Sequence, residues 1–248
     1  MVVTGHKVLV TGGSAGIGLA LARAFREREN RVMVCGRNPE RLTKAAREIP
    51  GLLTFQCNVA NEEELKRLVK GVEAELGGLS ILVNNAGIQR NYDFIKVAVE
   101  PALRDIDDEI EINLTALVKL SLLTLPLLRR ESTAAVVNIS SGLALVPKRS
   151  APVYCATKAA VHFFSKALRY QMEEAASSVG VFEVLPPQVD TEMTRGRGKM
   201  KLTADQVARA VIRGIAADRH EIRIGLVKPL VWIQRLHPWL ADRILRNS

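Results

Sequence analysis

Short apolar, β-branched runs alternate with longer amphipathic segments from one end of the chain to the other. The runs fall at Lys7–Val10, Arg31–Cys35, Leu53–Cys57, Ile81–Val83, Ala135–Ile139 and Val179–Leu185, with a shorter one at Glu221–Ile224. Val8–Val10 and Val136–Ile139 are nearly continuous in apolar character, as expected of strands covered on both faces; a half-solvated strand would alternate. Between the runs, helical spacing extends over Gly16–Asn30, Pro39–Ile49, Glu62–Leu76, Asp107–Arg130, Val153–Ala176 and Thr203–Ala217. Asn38-Pro39 and Asn61-Glu62-Glu63 supply helix-start chemistry. Each crossover between parallel strands must pack back on the sheet, so the alternation predicts an α/β fold. The expected architecture is one doubly wound parallel sheet of about seven strands with helices on both faces. No Gly/Ser-rich linker or change of composition divides the chain, so residues 1–248 are read as a single domain.

Aromatic residues make up 4% of the 248 residues, so the core must be built mainly from Leu, Val, Ile and Ala. Cys35, Cys57 and Cys155 form no CxxC pair and leave an odd count, which suits a reducing compartment and excludes a disulfide framework. The first strand starts within a few residues of Met1, and no uninterrupted apolar run approaches the ~18 residues of a membrane span. A cytoplasmic location is expected. The formal charge of +9 raises the question of nucleic acid. No zinc-finger spacing, RNP-like aromatic strand or basic run with interleaved aromatics accompanies it, so nucleic acid is not an expected partner. A basic surface equally attracts phosphorylated cofactors or anionic membranes. From Arg195 onward there are twelve Lys/Arg against four Asp/Glu.

Directly after the first strand comes Thr11-Gly12-Gly13-Ser14-Ala15-Gly16-Ile17-Gly18, opening an Ala/Leu-rich helix. Glycines let backbone approach a pyrophosphate, and a helix N-terminus favours negative charge. A plain strand–helix turn is the alternative, but the position in the first βα unit favours dinucleotide binding by Gly12, Ser14, Gly16, Ile17 and Gly18 in a Rossmann-type sheet. The second strand ends in Gly36-Arg37. An acid there would hold the ribose 2′-OH of NAD, whereas Arg37 can fork onto a 2′-phosphate, so NADP is expected and NAD is less favoured.

The spacing TGxxxGxG resembles that of the short-chain dehydrogenase/reductase family, and the rest of the chain matches the family at successive stations. Asn84-Asn85-Ala86-Gly87 corresponds to its NNAG motif, implying that Asn85, Ala86 and Gly87 shape the cofactor site. Asn58-Val59 stands where the family has Asp-Val beside the adenine. Tyr154-Cys-Ala-Thr-Lys158 corresponds to YxxxK. Residues four apart share a helical face, and a nearby ammonium would lower a phenol pKa from about 10 towards the working range. The resemblance implies that Tyr154 is the general acid/base and that Lys158 tunes it and holds the nicotinamide ribose. The family's serine precedes its tyrosine by thirteen positions, which selects Ser141, with Ser140 as the local alternative. Asn113 falls where the family has a helix-interior Asn that supports a bound water and a proton relay through the lysine. After the sixth strand, Pro186-Pro187-Gln188-Val189-Asp190-Thr191 departs from Pro-Gly-x-Val-x-Thr at Pro187, which stiffens the loop. Pro186, Val189 and Thr191 still match as cofactor contacts.

The implied activity is that of an oxidoreductase moving a hydride between NADP(H) and a small-molecule carbonyl or alcohol. The alternative is a cofactor-binding sensor, or a membrane-surface interaction protein, on the same fold. The LPPxVDT stretch and Asn84–Gln89 also resemble a subgroup named for lipoteichoic-acid D-alanylation gene clusters, a name that fixes no substrate. Residues 195–203 match the family's substrate loop. Residues 229–248 form an apolar, basic tail broken at Pro238, which packs on its own domain or a partner subunit, or else meets a membrane surface through Trp232 and Trp239. The helices at Asp107–Arg130 and Val153–Ala176 correspond to those that family members use for dimers, implying a homodimer or homotetramer. His6, His162, His220 and His237 show no ligand spacing, and no metal centre is expected.

Overall fold

The computed structural model describes residues 1–175, 177–194, 196 and 201–246. The first half runs β1 (Lys7–Thr11), α1 (Gly16–Arg26), β2 (Arg31–Gly36), α2 (Pro39–Glu48), β3 (Leu53–Gln56), α3 (Glu62–Leu76) and β4 (Ile81–Asn84). A long helix follows, α4 (Val99–Ile110) continuing through a π turn (Glu111–Thr115) into α5 (Ala116–Leu128). Then come β5 (Ala134–Ile139), a 3₁₀ turn (Gly142–Ala144), α6 (Pro152–Glu174) and β6 (Val179–Leu185). The last part holds the two-residue strands β7 (Val189–Asp190) and β8 (Leu202–Thr203), then α7 (Ala204–Ala216), β9 (Glu221–Arg223), α8 (Val227–Leu236) and α9 (Pro238–Leu245). Of the expected substrate loop, residues 195 and 197–200 lie outside the described residues, as do 247–248 of the tail.

Seven strands form one parallel sheet in the order β3-β2-β1-β4-β5-β6-β9, as the alternation predicts. The winding direction reverses between β1 and β4, so a crevice opens there beyond the carboxyl ends of the strands. Val8, Val10, Val34, Val83 and Val137 point to one face, against α1 and α7, with Leu21, Phe25 and Val211 in that layer. Leu9, Met33, Leu82, Val136 and Val181 point to the other, against Leu65, Leu68 and Val72 of α3 and Ala116 and Leu120 of α5.

Local chemistry sets the helix ends. Asn38 and Asn61 cap α2 and α3 by accepting from the backbone N–H groups of Arg41 and Glu64, and Thr203 with Gln206 forms a capping box on α7. Helix α1 stops at Arg26, short of the expected Asn30. Asn30 instead folds back, donating to Phe25 O at 2.7 Å and accepting from His6 N at 2.8 Å, and these bonds compete with a further helical turn. The stretch Val99–Leu128 is long and apolar enough to cross a membrane. In this fold its inner side is spent on the sheet, with Leu117, Leu120, Leu127 and Leu128 buried. The tail forms two helices whose Leu230, Ile233, Ala241 and Leu245 pack on Leu145 and Val146.

Candidate active site

The glycine turn is laced to the NNAG turn by hydrogen bonds across the β1–β4 junction. Thr11 Oγ1 accepts from Asn85 N at 2.9 Å and Ala86 N at 3.0 Å, while Asn85 Nδ2 donates to Thr11 O at 2.9 Å. The lacing leaves no room for side chains. A Cβ on Gly18 would stand 2.4 Å from Gly12 O, and one on Gly12, whose φ is +62°, would meet Ala86 Cα at 3.0 Å. Helix α1 begins with no side-chain cap and no acid in its first turn, so its N-terminal amides remain available to an anion. This glycine-lined cradle fits the pyrophosphate of a dinucleotide.

The other residues expected to contact the cofactor follow the carboxyl ends of β2, β3 and β6 or lie at the start of α1. Arg37 is exposed at the end of β2, and Ser14 Oγ would lie 3.3 Å from a Cβ on Gly36. Asn58 is held by a bond from its N–H to Glu64 Oε2 at 2.8 Å, with Val59 buried beside it. Thr191 Cγ2 would lie 3.2 Å from a Cβ on Gly16, so this loop reaches back over the start of α1. Pro186 O accepts from Gly142 N at 3.0 Å, and Val189 is buried in the pairing with Leu202. Ile17 is half-buried behind the cradle and packs on the core.

Tyr154 and Lys158 lie one turn apart on α6, with Lys158 Nζ 5.6 Å from the centre of the Tyr154 ring. Nζ is buried and donates to Ile139 O at 2.8 Å. Burial pulls the lysine pKa down to about 8, and the negative charge of Glu183 opposes the fall. Ser140 and Ser141 separate in role. Ser140 Oγ donates to Lys158 O at 3.2 Å and so anchors α6, whereas Ser141 Oγ accepts from Leu143 N at 3.1 Å, leaving its own proton to donate. Asn113 sits in the π turn, fully buried, with Oδ1 accepting from Ile88 N at 2.8 Å and Nδ2 donating to Ile88 O at 2.9 Å and Thr157 Oγ1 at 3.2 Å. Gly87 lies between Asn113 Oδ1 and Lys158 Nζ, which would be 3.2 and 3.8 Å from a Cβ placed there. The side chain of Asn113 is thus a clamp on the segment after NNAG.

Further groups support the site, most of them not anticipated from sequence. Glu183, in the middle of β6 and 1% exposed, receives His162 Nδ1 at 2.7 Å, one helical turn beyond Lys158. The carboxylate holds the imidazole pKa above its ordinary value. An acid inside the otherwise apolar run Val179–Leu185 was the available signal. Asn84 Nδ2 bonds Ser121 Oγ at 3.0 Å and Asn138 Oδ1 at 2.9 Å, and Asn138 Nδ2 bonds Ser165 Oγ at 2.9 Å, tying β4, β5, α5 and α6 together. Buried Glu109 accepts from Arg90 N and the Tyr92 hydroxyl, and Tyr92 N bonds Ser150 O, fastening the segment after NNAG to the approach to α6. Thr194 hydrogen-bonds backbone groups of Val189 and Thr191 and so shapes the loop that carries both. Cys155 is buried, and burial pushes its thiol pKa up, which makes it a packing group.

Comparison with known proteins agrees with this arrangement. Residues 6–202 match the model of the family described as short chain dehydrogenase. The uncharacterised oxidoreductase DltE of Bacillus subtilis (strain 168) is 44% identical over 221 residues, covering 89% of this chain and 83% of that protein. The crystal structure of a short chain dehydrogenase from Burkholderia cenocepacia J2315 in complex with NADP superposes with a TM-score of 0.87 at 25% identity, covering 100% of both chains. A short chain dehydrogenase/reductase from Burkholderia phymatum in complex with NAD gives 0.85 at 20% identity over 100% of this chain and 98% of that one.

Proposed function

This chain belongs to the short-chain dehydrogenase family, and from that premise we propose that it is a cytoplasmic NADP(H)-dependent oxidoreductase acting on a small carbonyl or alcohol. The observation that carries this reading is the convergence of Tyr154, buried Lys158 and the uncapped glycine cradle on one edge of the sheet. A bound nicotinamide supplies the hydride for carbonyl reduction, or accepts it in the reverse direction. Tyr154 gives its phenolic proton to the substrate oxygen in reduction and recovers it in oxidation. Lys158, fixed by Ile139 O, lends positive charge that favours the phenolate as the proton leaves. Ser141 donates to the same oxygen and orients it. Asn113 keeps the segment after NNAG in register with α6. Arg37, with Ser14 against the neighbouring Gly36 and no acid at that position, favours a 2′-phosphate over a free ribose hydroxyl. Leu122 of α5 and Phe163 of α6 are both 71% exposed, which supports assembly into a homodimer or homotetramer through these helices.

The test is carbonyl-dependent oxidation of NADPH across a panel of aldehydes and ketones, by wild type and Tyr154→Phe. Loss of the acid is expected to lower kcat by about 10²–10⁴-fold. NADPH affinity, read by calorimetry, is expected to stay within about twofold, since the cradle and Arg37 are untouched. A Tyr154→Phe enzyme with undiminished turnover overturns the assignment.

A further inference from the structure

The two tryptophans of the chain, Trp232 and Trp239, stand 63% and 64% exposed on α8 and α9. The opposite side of this helix pair is already spent. Leu230, Ile233, Ala241 and Leu245 pack on Leu145 and Val146, and Gln234 Nε2 donates to Leu145 O. The outer side carries Trp232, Leu236, Trp239 and Ile244, all at least half exposed, interleaved with Lys228, Arg235, Arg243 and Arg246. Asp242 is the single acid in residues 227–246.

Trp232 also forms one wall of a groove of about 330 Å³ between α7, β9 and α8, lined by Arg213, Arg219, Arg223 and Lys228 with Glu221 as the one carboxylate. Glu221 is taken by Arg223 at 2.5 Å, and among the described residues Arg213, Arg219 and Lys228 make no ion pair. Arg223 Nε is buried and has no hydrogen-bond partner among the described residues. The molecule therefore presents indole and aliphatic side chains beside a cationic groove, and three kinds of occupant come into question. A second copy in a two-fold interface would bring like-charged residues of this patch towards one another, a costly juxtaposition. A nucleic acid would satisfy the cations but give Leu236 and Ile244 nothing to contact. An anionic phospholipid surface satisfies all three chemistries: phosphates meet Arg and Lys, indole rings sit at the headgroup level, and Leu and Ile enter the acyl boundary.

We propose that α8, α9 and the adjoining groove dock the protein on anionic membrane surfaces, the groove receiving headgroup phosphate. The docked helices rest on the Leu145–Val146 loop, which lies between Ser141 and Tyr154 in the chain.

Both tryptophans lie on this surface, so intrinsic fluorescence of the unmodified full-length protein reads it directly. Vesicles of phosphatidylglycerol and phosphatidylcholine are expected to blue-shift the emission and to co-sediment the protein, while vesicles of phosphatidylcholine alone do neither. Binding should weaken at least about tenfold at 0.5 M salt, and by about a hundredfold or more in Arg213→Glu/Arg219→Glu/Lys228→Glu, since each of the three cations near an anionic surface contributes about fivefold. NADPH titration of that variant, expected to be unchanged, shows that it is folded and keeps this test separate from the proposed catalysis. The proposal is overturned if anionic vesicles leave emission unchanged, or if neutral vesicles act equally. It is also overturned if inorganic phosphate alone reproduces the shift, or if the shift follows protein concentration without lipid.

Discussion

Replacing Thr11 by Val changes almost no volume and removes the one oxygen that laces the two cofactor turns together and also donates, at 3.4 Å, to Val83 O. Thr11 Oγ1 is the acceptor for the N–H groups of both Asn85 and Ala86, and Thr11 is 3% exposed. Valine leaves both donors without a partner. A buried donor left unsatisfied costs about 1–3 kcal/mol. Asn85 and Ala86 are half-buried, so the lower end applies and the pair should cost roughly 2–3 kcal/mol. The Asn85 Nδ2 bonds to Thr11 O and Gly12 O do not involve the hydroxyl and should hold the turns in approximate register.

For a chain of this length, a loss of about 2–3 kcal/mol corresponds to a fall in Tm of roughly 4–12 °C. Urea unfolding followed by far-ultraviolet circular dichroism gives the free energy, and calorimetric titration with NADPH gives the consequence for the site. Thr11→Val is expected to be destabilised by that amount and to bind NADPH several-fold more weakly. Thr11→Ser keeps the acceptor and should lose less than half as much of either. A Thr11→Val protein that unfolds within about 0.5 kcal/mol of wild type refutes this account, because a shared acceptor of two half-buried donors cannot be that cheap to remove. Equal damage from Thr11→Ser and Thr11→Val refutes it as well.

Arg37→Ala should weaken NADPH binding by about tenfold or more, the worth of a charge-assisted hydrogen bond, and leave NADH binding within about twofold; equal losses in calorimetry would remove Arg37 from the 2′-phosphate site. Lys158, with a pKa of about 8, is charged below that pH and neutral above it, so carbonyl reduction should fall as pH rises through about 8. Glu183→Gln removes the charge that opposes this depression, so the alkaline limb of the kcat profile should move to lower pH; an unmoved limb rejects the coupling. The same variant reports on the His162–Glu183 pair. Its folded imidazole pKa is raised, so the pair's contribution is complete below the unfolded value of about 6.5 and is lost as pH rises through the folded one. The stability deficit of Glu183→Gln in urea should therefore be larger at pH 6 than at pH 9.

The parts of this molecule legible in sequence are those whose cause is local or periodic. Strands covered on both faces must be apolar throughout, so β1 and β5 stood out, and Asn38 and Asn61 marked their helices because a cap acts within three residues. Helix boundaries failed where a distant group intervenes. Unlike the start of α4 at Val99, eight residues before the expected Asp107, whose first turn is largely exposed, the end of α1 depends on Asn30 bonding His6 and Phe25. The π turn was illegible for the same reason: its extra residue is held by the Asn113 clamp on Ile88, 25 residues away.

The site divides along the same line. Glycines and the Tyr154–Lys158 spacing are legible because a tight turn and a shared helical face constrain residue type at fixed offsets. The groups that support them are not constrained in that way. Glu183 meets His162 only because β6 lies beneath α6, and Thr11 meets Asn85 only because β1 lies beside β4. Yet these supports are where a buried polar residue carries its own cost and must find a partner. An acid in an apolar strand, such as Glu183 in Val179–Leu185, therefore marks a contact that the chain must make elsewhere, even before the partner can be named. The exposed indoles of α8 and α9 pose the converse case, apolar groups left on the outside beside a groove whose Arg213, Arg219 and Lys228 make no ion pair among the described residues, and the proposed membrane docking answers it.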